Sequence, residues 1–124
     1  MITRNGKGEG DMSDCVFCRI VNGEIPANVV YEDDHLMAFH DLNPQAPVHL
    51  LIIPKEHITD ATTVEDCQTA AVGRLLQASA RVAKQLELDG GYRLVTNVGA
   101  DAGQTVMHLH IHLLGGRKMG WPPG

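Results

Sequence analysis

Three histidines recur at every second position in Val106-Met107-His108-Leu109-His110-Ile111-His112-Leu113-Leu114, separated by aliphatic residues. Alternate side chains of an extended chain point to opposite faces and recur about every 6.6 Å on one face. The spacing predicts a strand with His108, His110 and His112 in a row on one face, and Leu109, Ile111 and Leu113 entering a core on the other. Imidazole changes protonation near neutral pH and is a common metal ligand, so the row reads as a metal site or a histidine-based catalytic surface. A neutral imidazole nitrogen is a good nucleophile toward phosphorus when its neighbours fix the tautomer, and the covalent intermediate can later be resolved by water. Immediately upstream, Gly103-Gln104-Thr105 offers closely approaching backbone, an amide and a hydroxyl suited to an oxyanion or phosphate, although an ordinary polar turn has the same composition. Asp41 can accept hydrogen bonds from two adjacent hydroxyls, or sit solvated in its loop.

Cysteine is the second reactive type. The chain has three, an odd number, and two lie in Cys15-Val16-Phe17-Cys18. That spacing is more typical of metal or redox chemistry than of a secreted disulfide framework. Its plainer reading is two small residues packing a short helix onto a sheet, and Cys67 reads as a packing residue on a long helix.

The elements that must position these residues follow in order. Residues 1–12 are glycine-rich and polar and read as a flexible lead, followed by a single domain over 13–124 with a C-terminal tail. Val16, Phe17, Ile20 and Val21 have helical spacing, stopped by Asn22-Gly23. Val29–Glu32 and Leu36–His40 read as a hairpin turning at Asp33-Asp34, and two prolines make 41–47 a loop. Val48–Pro54 is nearly continuously apolar, as a central strand buried on both faces would be. Thr63 with Asp66 can cap a long helix over Val64–Leu88, ended by Asp89-Gly90-Gly91. Tyr92–Val98 reads as a strand, and 99–105 as the loop leading to the histidines. A short helix, three strands, a long helix and two strands describe an α+β domain with an antiparallel sheet.

Composition bounds the partners. With 44% hydrophobic and 20% charged residues the chain is ordinary for a globular domain, and its core is aliphatic because aromatics are only 4%. A net charge of −5 provides no footprint for long nucleic acid, although a mononucleotide needs only a local site. No run approaches membrane-spanning length and the N-terminus lacks a signal-peptide core, so a cytoplasmic location is expected.

The run His108-Leu109-His110-Ile111-His112-Leu113-Leu114 matches the His-x-His-x-His-x-x motif of the histidine triad (HIT) family, and Gly115–Gly124 looks like the ending of its Hint branch. The likeness extends from about Asp14 to Gly124 and takes in Ala38–Leu42, Pro44–Pro47, Ile53–Lys55 and Gly103-Gln104. This resemblance implies a HIT-like fold, a five-stranded antiparallel sheet with one long and one short helix, dimerising into a ten-stranded sheet. It implies a purine nucleotide-binding hydrolase that cleaves the P–N bond of nucleoside 5′-phosphoramidates through a nucleotidyl-histidine, releasing AMP or GMP and an amine. By the same resemblance, His110 is the nucleophile, His112 its phosphate-side partner, His108 the carbonyl that orients His110, and His49 a fourth, orienting histidine. Asp41 and Leu42 match ribose contacts; Asn97, Gly103, Gln104 and Thr105 phosphate contacts; Phe17, Ile25 and Phe39 the base pocket. Thr105 replaces a serine common in Hint proteins, and Gly120 stands where histidine is frequent. No cofactor is demanded by the chemistry, but Cys15 and Cys18 resemble bacterial members with a structural zinc, whose ligands correspond to Cys15, Cys18, His49 and His108. The rival reading is a nucleotide-binding or zinc-binding regulatory scaffold with little turnover.

Overall fold

The computed structural model describes residues 14–124, so the flexible lead expected over residues 1–12 lies outside the described residues. In chain order the elements are α1 (Val16–Val21), β1 (Val29–Glu32), β2 (Leu36–His40), β3 (Val48–Pro54), α2 (Thr69–Gln85), β4 (Tyr92–Val95) and β5 (Ile111–Gly115). The strands form one antiparallel sheet in the order β1-β2-β3-β5-β4. The continuous apolar run of β3 therefore occupies the sheet centre, where both faces are covered.

Strand alternation sorts the side chains into two layers. Leu36, Ala38, Leu50, Ile52, Leu109, Ile111 and Leu113 pack with Leu75, Ala78, Val82 and Ala83 of α2. These α2 residues recur at helical spacing, and the one buried hydroxyl among them, Ser79 Oγ, donates to Leu75 O at 2.7 Å. On the opposite face Phe17 of α1 packs with Met37, Phe39, Leu51 and Ile53. Leu51 pairs with His112 and His49 with Leu114 across β3 and β5, which places both histidines on the α1 side of the sheet.

Three boundaries differ from the sequence reading. Regular pairing of β4 stops at Val95, and that of β5 begins at Ile111, so His108 and His110 lie in the extended approach to β5. Their alternation survives there because Leu109 N–H donates to Ile58 O at 2.6 Å. The long helix begins at Thr69 instead of Val64: Asp60, a better acceptor than Thr63, takes the N–H groups of Thr62 and Thr63 and folds Ala61–Thr63 into a separate 3₁₀ turn. Cys67 lies in a second such turn and is exposed, so it is not the packing residue expected on the helix.

The helix also ends earlier. Leu88 N–H reaches Ala83 O and Glu87 N–H reaches Lys84 O, closing a Schellman motif that stops α2 before Asp89-Gly90-Gly91. Glu87 takes the left-handed conformation at φ +58°, where a side chain is disfavoured. Glu87→Gly is therefore expected to raise stability by about 0.5–1 kcal/mol, read as a higher urea midpoint at unchanged slope. A lower midpoint would mean that Glu87 contributes contacts outweighing its strain.

Candidate active site and metal centre

Five histidines separate into two groups. His110 Nδ1–H donates to His108 O at 2.6 Å, and a carbonyl can only accept. The remaining nitrogen of neutral His110, Nε2, then carries a lone pair. Beside it stands His112, with ring centroids 5.1 Å apart. His112 Nδ1 lies 2.9 Å from His49 Nε2, and His49 Nδ1 accepts Gln45 N–H at 3.0 Å. Because a backbone N–H can only donate, His49 must carry its proton on Nε2. It gives that hydrogen bond to His112 Nδ1, and His112 keeps its own proton on Nε2. The site pairs a lone pair on His110 with an N–H on His112.

Burial disfavours the charged form of these rings. It is the main cause that lowers His49, His110 and His112 below the ordinary imidazole value, with Asp41 opposing it in all three. His112 falls to about 4, the positive charges that His110 and His49 would carry adding to the burial effect. The unfolded chain takes protons near pH 6.5, whereas folded His112 resists until about 4, so stability holds above 6.5 and falls as pH drops through that window. The urea midpoint should be lower at pH 5 than at pH 7, and His112→Gln should shrink the difference; an unchanged difference would assign acid sensitivity to other groups.

The second group is Cys15, Cys18, His57 and His108, whose ligand atoms all lie within 4.8 Å of one another. Cys15 caps α1, its Sγ accepting Cys18 N–H at 3.3 Å. His108 Nε2–H donates to Pro54 O at 2.9 Å, leaving Nδ1 as a lone pair aimed at Cys15 Sγ at 3.3 Å and Cys18 Sγ at 3.6 Å. His57 Nδ1 lies 3.3 Å from Cys18 Sγ. A tetrahedral zinc with ordinary bond lengths separates sulfur from nitrogen by about 3.6 Å, close to the 3.3 and 3.6 Å found here, so this donor set fits the ion. Hydrogen bonding with Cys18, against the opposing effect of burial, holds the Cys15 thiol far below the usual thiol range, which favours the form a metal binds.

His57 corrects the expected ligand set. His49 lies in the relay and not in this cluster, because it enters β3 at the end opposite Pro54, where the chain leaves toward His57. Asp41 Oδ2 does approach His49 Nε2 at 3.4 Å, and with His112 these atoms also converge. A metal on His49 Nε2 would force a proton onto Nδ1, against Gln45 N–H, so this trio is built as a hydrogen-bond chain.

The remaining expected contacts divide. Phe17 stands edge-on to Phe39 at 5.7 Å and to His110 at 5.2 Å, joining α1 to the histidine face. Asp41 is partly buried and receives Asn43 N–H on Oδ1, while Leu42 is 99% exposed. Ile25 is partly buried between α1 and β1, and Asn97 partly buried after β4. Gly103, at φ +90°, turns the loop that leaves Thr105 exposed. Gln104 is a correction: it is buried, its Nε2 donates to Thr59 O and Val106 O, and its Oε1 accepts Gly99 N–H. With both amide hydrogens used, it builds the loop instead of offering donors to a phosphate. His57 and Gln45 were missed in the sequence, as was Thr96, whose hydroxyl donates to His110 O at 2.8 Å.

Fold and site define a small α+β domain with a tautomer-fixed histidine pair on one sheet face and a cysteine–histidine cluster beside it. The chain belongs to the HIT domain family, whose model matches residues 22–119. It is 51% identical over 111 residues to an uncharacterized HIT-like protein of Synechococcus elongatus, covering 90% of this chain and 97% of the relative. A 14 kDa zinc-binding protein of Brassica juncea is 49% identical over 113 residues, covering 90% of this chain and all of the relative (100%). Among solved structures, a HIT family hydrolase from Legionella pneumophila superposes with a TM-score of 0.88 at 51% identity, over 90% of this chain and 100% of that one. Among the described residues no helix is long and apolar enough to cross a membrane.

Proposed function

We propose that this protein hydrolyses the P–N bond of purine nucleoside 5′-phosphoramidates through a nucleotidyl-His110 intermediate, releasing AMP or GMP and an amine. The observation that carries the reading is the 2.6 Å hydrogen bond from His110 Nδ1–H to His108 O, which directs the Nε2 lone pair outward beside the N–H of His112. His110 Nε2 attacks phosphorus, the P–N electrons leave with the amine, and the amine takes its proton from the His112 side. Water then attacks the phosphorus, forming a P–O bond as the P–N electron pair returns to His110 Nε2, and its proton replaces the one taken from the His112 side, so the cycle consumes none. The bond broken and the bond formed are both P–N, which keeps the first step nearly balanced.

Asp41 receives the ribose hydroxyls, and Phe17 and Phe39 form the apolar side toward the purine. Thr105 and the N–H groups of its loop contact the phosphate. Cys15, Cys18, His57 and His108 would hold a structural zinc, which when bound ties α1 to the segment carrying His110 and supplies no reacting group. The protein acts as a homodimer in the cytoplasm, paired through the partly apolar edge formed by α2 and β4, where Leu76 and Tyr92 are exposed. The second reading, a zinc-organised nucleotide-binding scaffold, draws on the metal-type cluster.

Incubation with adenosine 5′-phosphoramidate, following AMP release and the protein mass after acid quench, separates the two. Catalytic AMP release with a transient mass increase of one nucleotidyl group is expected. Tight AMP binding without release would leave the scaffold.

A further inference from the structure

The relay has a direction only if His49 holds one tautomer, and that choice is made by groups outside the histidines. Gln45 N–H faces His49 Nδ1 at 3.0 Å. The same residue is held at two other points: its Nε2 donates to Asn43 O at 3.0 Å, and its carbonyl accepts Arg117 Nη2 at 3.1 Å. Arg117 comes from the segment after β5, brought there by Gly116 at φ +90°, where a Cβ would stand 2.9 Å from Pro47 Cβ. Arg93 fastens the following tail through Gly120 O at 2.8 Å. The tail is thus joined to the 41–47 loop at the residue that faces His49.

We propose that Gln45 and Arg117 are positioning residues for the proton relay: the Gln45 N–H fixes His49 as its Nε2–H tautomer, and Arg117 holds Gln45 in place to do so. The chemical argument is one of donors and acceptors. Were Gln45 to rotate away, His49 could carry its proton on Nδ1, its Nε2 would become an acceptor, and His112 would turn its proton inward onto Nδ1. His112 would then present a lone pair to the phosphoryl site, beside the lone pair of His110. Nucleotide affinity would persist, while proton delivery to the leaving amine would fail in that fraction of molecules. The kinetic part rests on the P–N hydrolase reading; the tautomer part does not.

The test is ¹⁵N–¹H NMR of ligand-free protein, assigning the protonated nitrogen of His49 and His112, alongside turnover of adenosine 5′-phosphoramidate. Wild type should show His49 and His112 both protonated on Nε2. Arg117→Ala should show mixed tautomers at both rings, with kcat reduced about tenfold and KM within about twofold, a fraction of what general acid catalysis contributes. Arg117→Lys, which keeps one donor for Gln45 O, should recover most of the single tautomer. Gln45→Pro removes the N–H itself and should let the His49 proton populate Nδ1 against the pull of Asp41 Oδ2, 3.4 Å from Nε2, whereas Gln45→Ala, which retains the N–H, should keep it on Nε2. An unchanged tautomer in both Arg117→Ala and Gln45→Pro overturns the proposal, as does an unchanged tautomer in Arg117→Ala alone if Gln45→Pro does not fold. Shifted tautomers in a protein that turns over no phosphoramidate uphold the lock and overturn the functional reading instead.

Discussion

His110→Ala is expected to slow AMP release from adenosine 5′-phosphoramidate by at least about a thousandfold while AMP affinity changes no more than about threefold, as loss of a nucleophile does when binding lies elsewhere. The asymmetry follows from the site. His110 presents one lone pair, fixed by the His108 carbonyl, and its ring stands beside that of His112. Asp41, the Thr105 loop and the Phe17–Phe39 pair are independent of that lone pair. Turnover by single-time-point AMP release and affinity by calorimetry check the two halves. Near-normal turnover in the purified variant would remove the covalent mechanism. Loss of binding as large as the loss of turnover would mean that His110 supports the pocket mechanically, which its 5.2 Å edge contact with Phe17 makes a concrete alternative.

The residues whose roles follow from periodicity were legible in the chain. Alternation from His108 to Leu113 placed Leu109, Ile111 and Leu113 against α2 and left the histidines on the other face, even where regular strand pairing is absent. An unbroken apolar run marked β3 as the central strand. What was not legible depends on groups that every residue carries. The tautomers of His110, His108 and His49 are set by His108 O, Pro54 O and Gln45 N–H, and backbone atoms leave no mark in composition. Gln104 has a side chain fit for phosphate, yet three backbone groups, Gly99 N–H and Val106 O of its own loop and Thr59 O from the segment after β3, consume it. His57 stands 39 positions from Cys18, outside any local motif, and joins the cysteines only because the chain leaves β3 at Pro54 beside the His108 ring. The available signal was the need for a fourth ligand near the end of the strand that carries Pro54.

That fourth ligand makes the metal prediction sharp. Protein purified without chelator should contain about one zinc per chain, and Cys15→Ser and His57→Ala should each lose it, while His49→Ala should retain it. The distinction rests on position: His57 Nδ1 lies 3.3 Å from Cys18 Sγ, whereas His49 is committed to Gln45 and His112. Metal held by the folded state alone adds RT ln(1 + [Zn]/Kd), about 4 kcal/mol at a thousandfold excess over Kd, so its loss should lower the melting temperature by on the order of 10 °C. His108 links this loss to catalysis, because its ring faces the two cysteine sulfurs while its carbonyl holds His110 Nδ1–H. The metal-free variants should therefore lose turnover below their new melting temperature as well. Metal content by mass spectrometry, melting with and without chelator, and turnover on the same preparations decide the matter. Full metal retention by His57→Ala with loss in His49→Ala would restore the ligand set expected from family resemblance, and unchanged melting of chelated protein would leave Cys15 and Cys18 as packing residues at the start of α1.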